Sequence, residues 1–341
     1  MTRVFLTGAS GYIGGDILHV LASAHPEYEC SVLVRDSDKA AAISKAYPDV
    51  RTVLGDLDSA SLIEEEAAQA DVVINAASNK HIESAKAIAL GLARRIGSRP
   101  GYWIQISGAT VLTIPDIINK SFGEGREQIV SDIDDADEIR EIVRQNADRR
   151  MLDNFILNEV KGPKTALIFG PMIYGQARGP VNRRSVQVPE LARVTLQNRG
   201  AVQVGKGEST WSNIHIFDLT DIVVRLVEKA VKGEDNGLWN QDGLYFTSND
   251  KENDLLSFAK VSQLVAQAAH NLGLADSASV KSISYDEAEK LSDHSGILWG
   301  TNAQQRSQRA LQLLGWAPKA DSLEKDISAI VRAEAVRLGL L

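Results

Sequence analysis

Three glycines near the N-terminus, Gly8, Gly11 and Gly14, lie three residues apart between a short apolar run and a helical segment. The first permits a tight turn, the second lets the backbone approach a ligand, and the third lets the helix pack on the strand. The helix N-terminus would add free N–H groups and a partial positive charge. The spacing predicts a pyrophosphate cradle, and the alternative is a turn whose small residues serve packing alone. The predicted cradle comprises Thr7, Gly8, Ser10, Gly11, Tyr12, Ile13 and Gly14.

A cationic residue follows the second predicted strand, at the position that selects between nicotinamide cofactors. An acidic residue there holds the ribose 2′-hydroxyl of NAD, whereas this chain has Arg35 after Val34. An arginine suits the 2′-phosphate of NADP, and Lys39 adds a second positive charge. Two alternatives stay open, because Asp36 could face the ribose and Arg35 could be a solvated strand-end charge. We expect NADP (NADPH) to bind in preference to NAD.

Short β-branched runs alternate with longer helical stretches through residues 1–170. The predicted strands are Val4–Leu6, Ser31–Val34, Thr52–Leu54, Asp71–Ala76, Tyr102–Ser107 and Lys164–Phe169, and the predicted helices include Ala40–Ala46, Ser59–Ala68, Ile82–Arg95 and Glu138–Glu159. Strands that alternate with helices build βαβ units. The fold class is therefore α/β, a doubly wound parallel Rossmann sheet with helices on both faces. We expect residues 1–170 to form the dinucleotide-binding domain.

The pattern changes after Phe169, where glycines and prolines divide the chain into loops. Apolar residues of Asp218–Lys232 recur every three or four positions, which is typical of a helix with one packed face. Other helical patterns cover Pro189–Gln197, Leu255–Leu272 and Ser322–Leu338. We expect residues 171–341 to form a smaller, mostly helical substrate-binding lobe that is interleaved with the first domain.

The composition excludes several classes of protein. The 341 residues include 37 basic and 45 acidic side chains, a net charge of −8, and 44% of them are hydrophobic. Nucleic acids and anionic membranes need a basic face, so the acidic balance argues against both as partners. No secretory signal and no apolar run of about 18 residues is present. The single cysteine, Cys30, fits a reducing compartment. We expect a cytoplasmic protein that acts on a small molecule.

Landmarks along essentially the whole chain resemble the extended short-chain dehydrogenase/reductase family, which includes the NAD-dependent epimerases and dehydratases. After the glycines of the cradle come Gly55-Asp56-Leu57, Asn75-Ala76-Ala77, Ile106-Ser107-Gly108, Gly170-Pro171-Met172-Ile173-Tyr174-Gly175, His215-Ile216-Phe217-Asp218-Leu219 and Leu314-Gly315-Trp316-Ala317-Pro318. The resemblance implies that Asp56 and Leu57 bind adenine and that Asn75, Ala76 and Ala77 form a turn beneath the cofactor. It also implies that Ser107 is an active-site hydroxyl. Gly170 departs from the family, which has an arginine there.

The resemblance further implies a Tyr-x-x-x-Lys pair on the helix after the fifth strand, where the tyrosine protonates the developing alkoxide. None of the seven tyrosines of this chain has a lysine four residues on. Counting back from the predicted helix end places Gln145 at the tyrosine position and Arg149 or Arg150 at the lysine position. The sequence therefore predicts an atypical active site. An arginine there would hold the ribose or pyrophosphate, because it cannot act as a general acid.

Three side chains are candidate substitutes for the missing acid. Tyr174 follows the sixth strand and would present a phenol to the site, or else it is a packed aromatic. Ser107 would orient a substrate oxygen, or it is a strand-end hydroxyl bonded to backbone. His81 would relay a proton, or it is a surface residue at a helix start.

Two charged clusters have structural explanations as well as chemical ones. The acidic residues between Asp132 and Glu138 lack the glycine and terminal glutamate of a calcium loop, so we expect a helix-start cluster and no metal. Arg183 and Arg184 either bind an anionic group of a substrate or form a solvated pair.

Three functions are compatible with these features. The first is an NADP-binding oxidoreductase that acts on a small carbonyl or alcohol with a non-standard proton donor. The second is a sensor or regulatory protein, similar to the NmrA-like branch, that binds the dinucleotide without turnover. The third is a nucleotide-sugar epimerase or dehydratase, although such enzymes usually retain the Tyr-Lys pair. Family members often dimerise through helices beside the active site, so a homodimer is an open expectation.

Overall fold

The apolar runs of the first half form the centre of a parallel sheet, as a computed structural model shows; it describes residues 2–95, 99–249 and 255–341. The strands are β1 Arg3–Thr7, β2 Glu29–Val34, β3 Arg51–Leu54, β4 Val72–Asn75, β5 Tyr102–Gly108, β6 Val130–Ser131, β7 Lys164–Gly170, β8 Met172–Tyr174, β9 Ala201–Val204, β10 Asn213–His215, β11 Leu244–Phe246, β12 Val280–Ile283 and β13 Gln305–Arg306. The helices are α1 Tyr12–Ala24, α2 Ser37–Ala46, α3 Ala60–Gln69, α4 Ile82–Arg94, α5 Ile114–Asn119, α6 Ala136–Gln145, α7 Met151–Asn158, α8 Gln187–Asn198, α9 Ile216–Lys232, α10 Phe258–Asn271, α11 Tyr285–Leu291, α12 Ser295–Gly300, α13 Gln308–Leu313 and α14 Leu323–Arg337.

The main sheet has seven strands in the order β3-β2-β1-β4-β5-β7-β11, and all of its neighbouring strands are parallel. The strand order reverses between β1 and β4. In sheets of this kind ligands bind at the carboxyl ends of the strands beside such a reversal. The doubly wound parallel sheet is therefore confirmed, and the reversal places the ligand cleft beside the glycine-rich turn.

Both faces of the sheet are buried, which explains the nearly continuous apolar runs. Side chains of one strand alternate between the two faces. Phe5, Val73 and Trp103, which lie side by side on β1, β4 and β5, pack into the core on one face. Val4 and Ile104 pack into the core on the opposite face. Helices on both sides of the sheet complete these two cores.

The second half of the chain extends the sheet and adds further helices and short strands. Strand β11 adds to the sheet edge, and α9 packs against α1. Beyond the sheet, α14 packs against both α8 and α10, and the short strand pairs β8–β10 and β9–β12 form there. One hydrophobic core includes residues of these helices and of the sheet.

One predicted helix, Glu138–Glu159, is wrong in its extent, because the structure divides it into α6 and α7. Asn146 ends α6 by donating both its backbone and its side-chain N–H to the Ile142 carbonyl. The turn that follows carries Arg150 toward the end of β5.

Within the described residues no helix is both long and apolar enough to cross a membrane. Cys30 is a free, buried thiol on β2, and burial raises its pKa to about 11. The thiol is therefore neutral and shielded at physiological pH.

Candidate functional site

The glycine-rich turn brings β1, α1 and the end of β4 into close backbone contact. Gly8 has a φ of +87°, and a Cβ there would lie 2.6 Å from the Ala76 carbonyl. A Cβ on Gly14 would lie 2.2 Å from the Gly8 oxygen. A Cβ on Gly11 would meet only that same oxygen, at 3.1 Å. Gly8 and Gly14 are therefore required for the turn itself, whereas Gly11 leaves its backbone open to the cleft.

Helix α1 begins beside the cleft with its first N–H groups uncapped by side chains. Gly11 occupies the N-cap position, no side chain bonds to the helix start, and the first turn contains no acidic residue. Such a helix start is suited to an anion. The side chain of Tyr12 points elsewhere, because its hydroxyl donates to the carbonyls of Tyr174 and Gly175 at 3.0 and 2.7 Å.

A cavity of about 380 Å³ extends from this turn across the ends of β2 and β3. Its walls include ten residues that the sequence predicts to bind the dinucleotide, namely Thr7, Gly8, Ser10, Gly11, Arg35, Lys39, Asp56, Leu57, Ala76 and Ala77. Leu33, Val34, Gly55 and Asp58 complete the lining, whereas Tyr12, Ile13, Gly14 and Asn75 are not part of it. Asp56 also shapes this wall, because its Oδ1 accepts from the Asp58 N–H at 3.1 Å and from Ser59 Oγ at 2.9 Å. The cavity thus joins the glycine-rich turn to the ends of two further strands.

Arg35 and Lys39 both line this cavity. In the described part of the chain, neither side chain makes a hydrogen bond or an ion pair. Asp36 instead caps α2, accepting from the N–H groups of Asp38 and Lys39 at 3.0 Å each. The Lys39 N–H in particular holds the pKa of Asp36 below its ordinary value. The carboxylate is thus engaged by backbone, and the two cations are available to a ligand phosphate.

A buried polar chain supports the cradle from beneath. Thr7 Oγ1 donates to Asn75 Oδ1 at 2.6 Å, and Asn75 Nδ2 donates to Gln105 Oε1 at 2.9 Å. Gln105 in turn donates to the carbonyls of Ser78 and Ile106. Asn75 therefore orients the β4 turn from below the cleft. Sequence reasoning missed Gln105, whose signal is a polar side chain in an otherwise apolar strand.

A second buried polar cluster lies at the carboxyl end of β5. Ser107 Oγ donates to Asp153 Oδ1 at 2.8 Å and accepts from Arg150 Nη2 at 3.1 Å. Arg150 also donates to Thr110 Oγ1 at 2.9 Å and to the Gly108 carbonyl at 3.1 Å, and it forms an ion pair with Asp153. Asp153 is 1% exposed and Arg150 9%. Burial raises the pKa of Asp153, against the opposing effects of Arg150 and Ser107.

This cluster distinguishes between the two arginines that the sequence left open. Arg150 reaches Ser107, whereas Arg149 is exposed on the turn. Gln145, predicted at the tyrosine position, is exposed on α6 and bonds to Glu141. The helix break after α6 causes this difference from a continuous helical register. Sequence reasoning missed Asp153, whose signal was a carboxylate one helical turn beyond Arg150.

Tyr174 and His81 both have hydrogen-bond partners within the protein. The Tyr174 side chain is 1% exposed, its ring packs edge-on against His215, and its hydroxyl donates to the Asp321 carbonyl at 2.7 Å. His81 caps the start of α4, where Nδ1 accepts from the Ser84 N–H, and Nε2 lies 3.0 Å from Asp58 Oδ1. These placements match the alternatives of a packed aromatic and a helix-start residue, and the two proton-donor roles stay predictions.

The Tyr174→Phe variant is expected to lose about 0.5–1.5 kcal/mol of unfolding free energy, because the buried Tyr174 side chain loses its hydrogen bond to the Asp321 carbonyl. Any turnover should stay within a few-fold of the wild type. Urea unfolding and NADPH oxidation rates measure the two effects. A loss of about 10²–10⁴-fold in kcat would restore the proton-donor role to this phenol.

The remaining charged clusters have structural partners. Arg184 pairs with Glu190 and Glu334 beside a cavity of about 290 Å³, and Arg183 donates to the Ala177 carbonyl. Asp132 accepts the backbone N–H groups of Phe246 and Arg309. In residues 2–95, 99–249 and 255–341 no group of three acidic, histidine or cysteine side chains could hold a metal ion.

Asp16 on α1 is the centre of a buried clamp that joins α1 to α9 and to the loop after β8. It accepts the backbone N–H of Arg178 at 2.7 Å, its guanidinium at 3.0 and 2.6 Å, and Thr220 Oγ1 at 2.8 Å. Burial opposes ionisation, yet these hydrogen bonds hold the pKa of Asp16 below its ordinary value. Like the Ser107 cluster, the clamp combines an aspartate, an arginine and a hydroxyl group. The Asp16 carboxylate also accepts a backbone N–H, so it receives more donors than Asp153 does.

Known proteins resemble this chain in sequence and in fold. Residues 1–94 match the model of the NmrA-like family. Oxidase ucsJ of an Acremonium species is 36% identical over 348 aligned residues, which cover 99% of each chain. PbgP3 of Burkholderia pseudomallei has a TM-score of 0.65 at 15% identity and covers 98% of this chain and 96% of its own. The dTDP-glucose 4,6-dehydratase DesIV of Streptomyces venezuelae, solved with NAD and TYD bound, has a TM-score of 0.63 at 16% identity, with coverages of 99% and 98%.

Proposed function

The chain belongs to the extended short-chain dehydrogenase/reductase family, and we propose that it is an NADP-dependent oxidoreductase of small carbonyl or alcohol substrates. The observation that carries the proposal is the pair of unengaged cations, Arg35 and Lys39, on the wall of the cavity that begins at the glycine cradle. The 36% identical relative, which is named an oxidase, supports redox chemistry.

The described residues fit an NADP molecule at both of its charged groups. The uncapped start of α1 and the open backbone at Gly11 would hold the pyrophosphate. Arg35 and Lys39 would hold the 2′-phosphate, and Asp56 and Leu57 would border the adenine. When bound, the nicotinamide supplies or accepts a hydride. Asn75 and Gln105 would keep the β4 turn in place beneath it.

At the reacting end, the chain offers a hydroxyl and a cation. Ser107 and the partly exposed Gly108 end β5, and Arg150 bonds to both of them. The guanidinium orients the Ser107 oxygen and keeps a positive charge near a developing alkoxide. It does not give up a proton at neutral pH. We assign Ser107 to contact the substrate oxygen and Arg150 to orient Ser107.

The Arg35→Asp variant is expected to abolish a preference for NADPH over NADH. One charge-assisted contact contributes about 1.5–3 kcal/mol, which corresponds to roughly 10–100-fold in affinity. Titrations of wild type and variant with both reduced cofactors measure the ratio. Because Arg35 is exposed and unpaired among the described residues, folding should not change. Lys45→Asp, an exposed charge change at the far end of α2, is the matched control. Equal affinities in the wild type would contradict the NADP assignment.

A second candidate function, a dinucleotide sensor without turnover, is favoured by one observation. The protons of Ser107 and Tyr174 are both engaged by acceptors within the protein. A panel of ketones, aldehydes and imines with NADPH distinguishes the two functions, because a sensor binds the cofactor and consumes none of it. The match of residues 1–94 to the NmrA-like model is compatible with either function.

We also propose a cytoplasmic location and a homodimer as expectations to be measured. The location rests on the free, neutral thiol of Cys30, which suits a reducing compartment. Cell fractionation and light scattering of the purified chain would test them.

A further inference from the structure

We infer that Asp153 stores the proton of this site and that Ser107 passes it to the substrate oxygen, in place of the absent tyrosine. The inference rests on the proposed oxidoreductase function. Ser107 would be the catalytic residue, because it touches the reacting oxygen. Asp153 acts through Ser107 and is a positioning residue for the proton.

The hydrogen bonds of Ser107 show how one proton changes what this hydroxyl can do. With Asp153 ionised, Ser107 donates to Oδ1 at 2.8 Å, so its proton points away from any substrate. With Asp153 protonated, the carboxyl donates to the Ser107 oxygen and Arg150 Nη2 donates to its second lone pair. Both lone pairs of the Ser107 oxygen are then occupied, so the hydroxyl proton remains free to form a hydrogen bond with a ligand.

The surroundings of Asp153 suit a group that exchanges a proton. Burial raises its pKa, and Arg150 is the charged residue that opposes this. Its side-chain partners in the described chain are Ser107 and Arg150 alone. Among the described elements, α4, α6 and β7 pack against α7 and β5 contributes Ser107. The charged residues of α4, α6 and β7 make no bond to Asp153; they are Glu83, Lys86, Arg94, Asp137, Glu138, Arg140, Glu141, Arg144 and Lys164. Asp16 in the clamp accepts a backbone N–H in addition to an arginine and a hydroxyl, and its pKa is lowered.

The proton transfer balances in the direction of carbonyl reduction. The substrate carbon gains a hydride from reduced NADP, and the C=O double bond becomes a C–O single bond. The oxygen takes the Ser107 proton as Ser107 takes the Asp153 proton, which leaves a carboxylate paired with Arg150. A proton from the solvent then restores the acid form of Asp153, so each reduction consumes one hydride and one solvent proton. In alcohol oxidation the same proton moves in the reverse direction.

The test compares Asp153→Asn and Ser107→Ala with Asp16→Asn, whose carboxylate has a similar set of partners outside the site. Infrared spectra of the full chain with labelled aspartate carboxyls are recorded across pH, without substrate. We expect a neutral carboxylic acid band that disappears as pH rises, is missing in Asp153→Asn and persists in Asp16→Asn. Absence of the band throughout the working pH range would overturn the inference.

Kinetics give the second measurement. We expect Asp153→Asn and Ser107→Ala each to lower kcat by about 10²–10⁴-fold, with NADPH affinity within a few-fold of the wild type. The double variant should lose no more than the larger single loss. The kcat of the wild type for carbonyl reduction should fall as pH rises through the pKa of Asp153. The kcat of Asp153→Asn should not show this decrease. Unchanged kcat and pH profile in both single variants would also overturn the inference.

The two proposals fail in different ways. If NADPH binds but no carbonyl of the panel is reduced, the oxidoreductase proposal fails, and the infrared band alone decides whether Asp153 holds a proton. If carbonyls are reduced and the variants behave like the wild type, the proton path fails while the oxidoreductase proposal stands. If Asp153→Asn does not fold, Ser107→Ala still tests the proton path, because it removes a single hydroxyl and should preserve the fold.

Discussion

Replacing Gly11 with valine is expected to weaken NADPH binding by about 10²–10⁴-fold and to leave the chain folded. The valine branches would occupy the space through which the pyrophosphate meets the backbone. Two lost charge-assisted contacts of about 1.5–3 kcal/mol each account for this range. Within the protein, a Cβ at this position would meet only the Gly8 oxygen, at 3.1 Å, so folding should be retained. Fluorescence titration with NADPH and circular dichroism measure the two effects.

Gly200→Val is the matched control, because a Cβ there would lie 3.9 Å from its nearest neighbour, the Asn198 oxygen. This variant should keep full affinity. Gly14→Val should behave differently from Gly11→Val, since its Cβ would lie 2.2 Å from the Gly8 oxygen and the fold itself should suffer. If Gly11→Val binds NADPH as tightly as the wild type, the glycines form a packing turn and no cradle.

The Arg150→Met variant is expected to lower the unfolding free energy by about 3–5 kcal/mol at neutral to alkaline pH, because it leaves Asp153 buried without its cationic partner. The double variant Arg150→Met/Asp153→Asn should recover much of this loss, since no buried charge remains. Urea unfolding of the wild type, both single variants and the double variant measures the coupling. Additive losses in this cycle would show that the two side chains do not interact.

The loss in Arg150→Met should depend on pH with a definite sign. Removing the guanidinium raises the pKa of Asp153 further in the folded chain, above its ordinary value of 3.8. The folded variant then binds the Asp153 proton more tightly than the unfolded chain does. The unfolding free energy of the variant therefore falls as pH rises from 3.8, the ordinary pKa, to the higher pKa of Asp153 in the folded variant. The destabilisation should therefore shrink as pH falls through the folded pKa. A loss that grows on acidification would contradict the ionised-pair account.

Local sequence patterns were sufficient for the sheet and for the glycine-rich turn. Gly8 has a positive φ, and Gly14 lies close to the Gly8 oxygen. Both features involve residues of the same turn, so the glycine spacing predicts them directly. The alternation of apolar strands and helices likewise predicts a parallel sheet that is buried on both faces. Arg35 and Asp36 were recognised as alternatives, and the capping bonds of Asp36 are themselves local.

The buried cluster around Ser107 and the placement of Tyr174 were decided only by the tertiary structure, because their contacts join residues far apart in the chain. Ser107 meets Arg150 and Asp153 across 43 and 46 residues, and Tyr174 meets Asp321 across 147. A break of the helix between α6 and α7 turned Arg150 inward and left Arg149 and Gln145 exposed. Sequence by itself determined which residue types end each strand. Packing between distant segments determined which of those side chains are buried together, and hence which ones can share a proton.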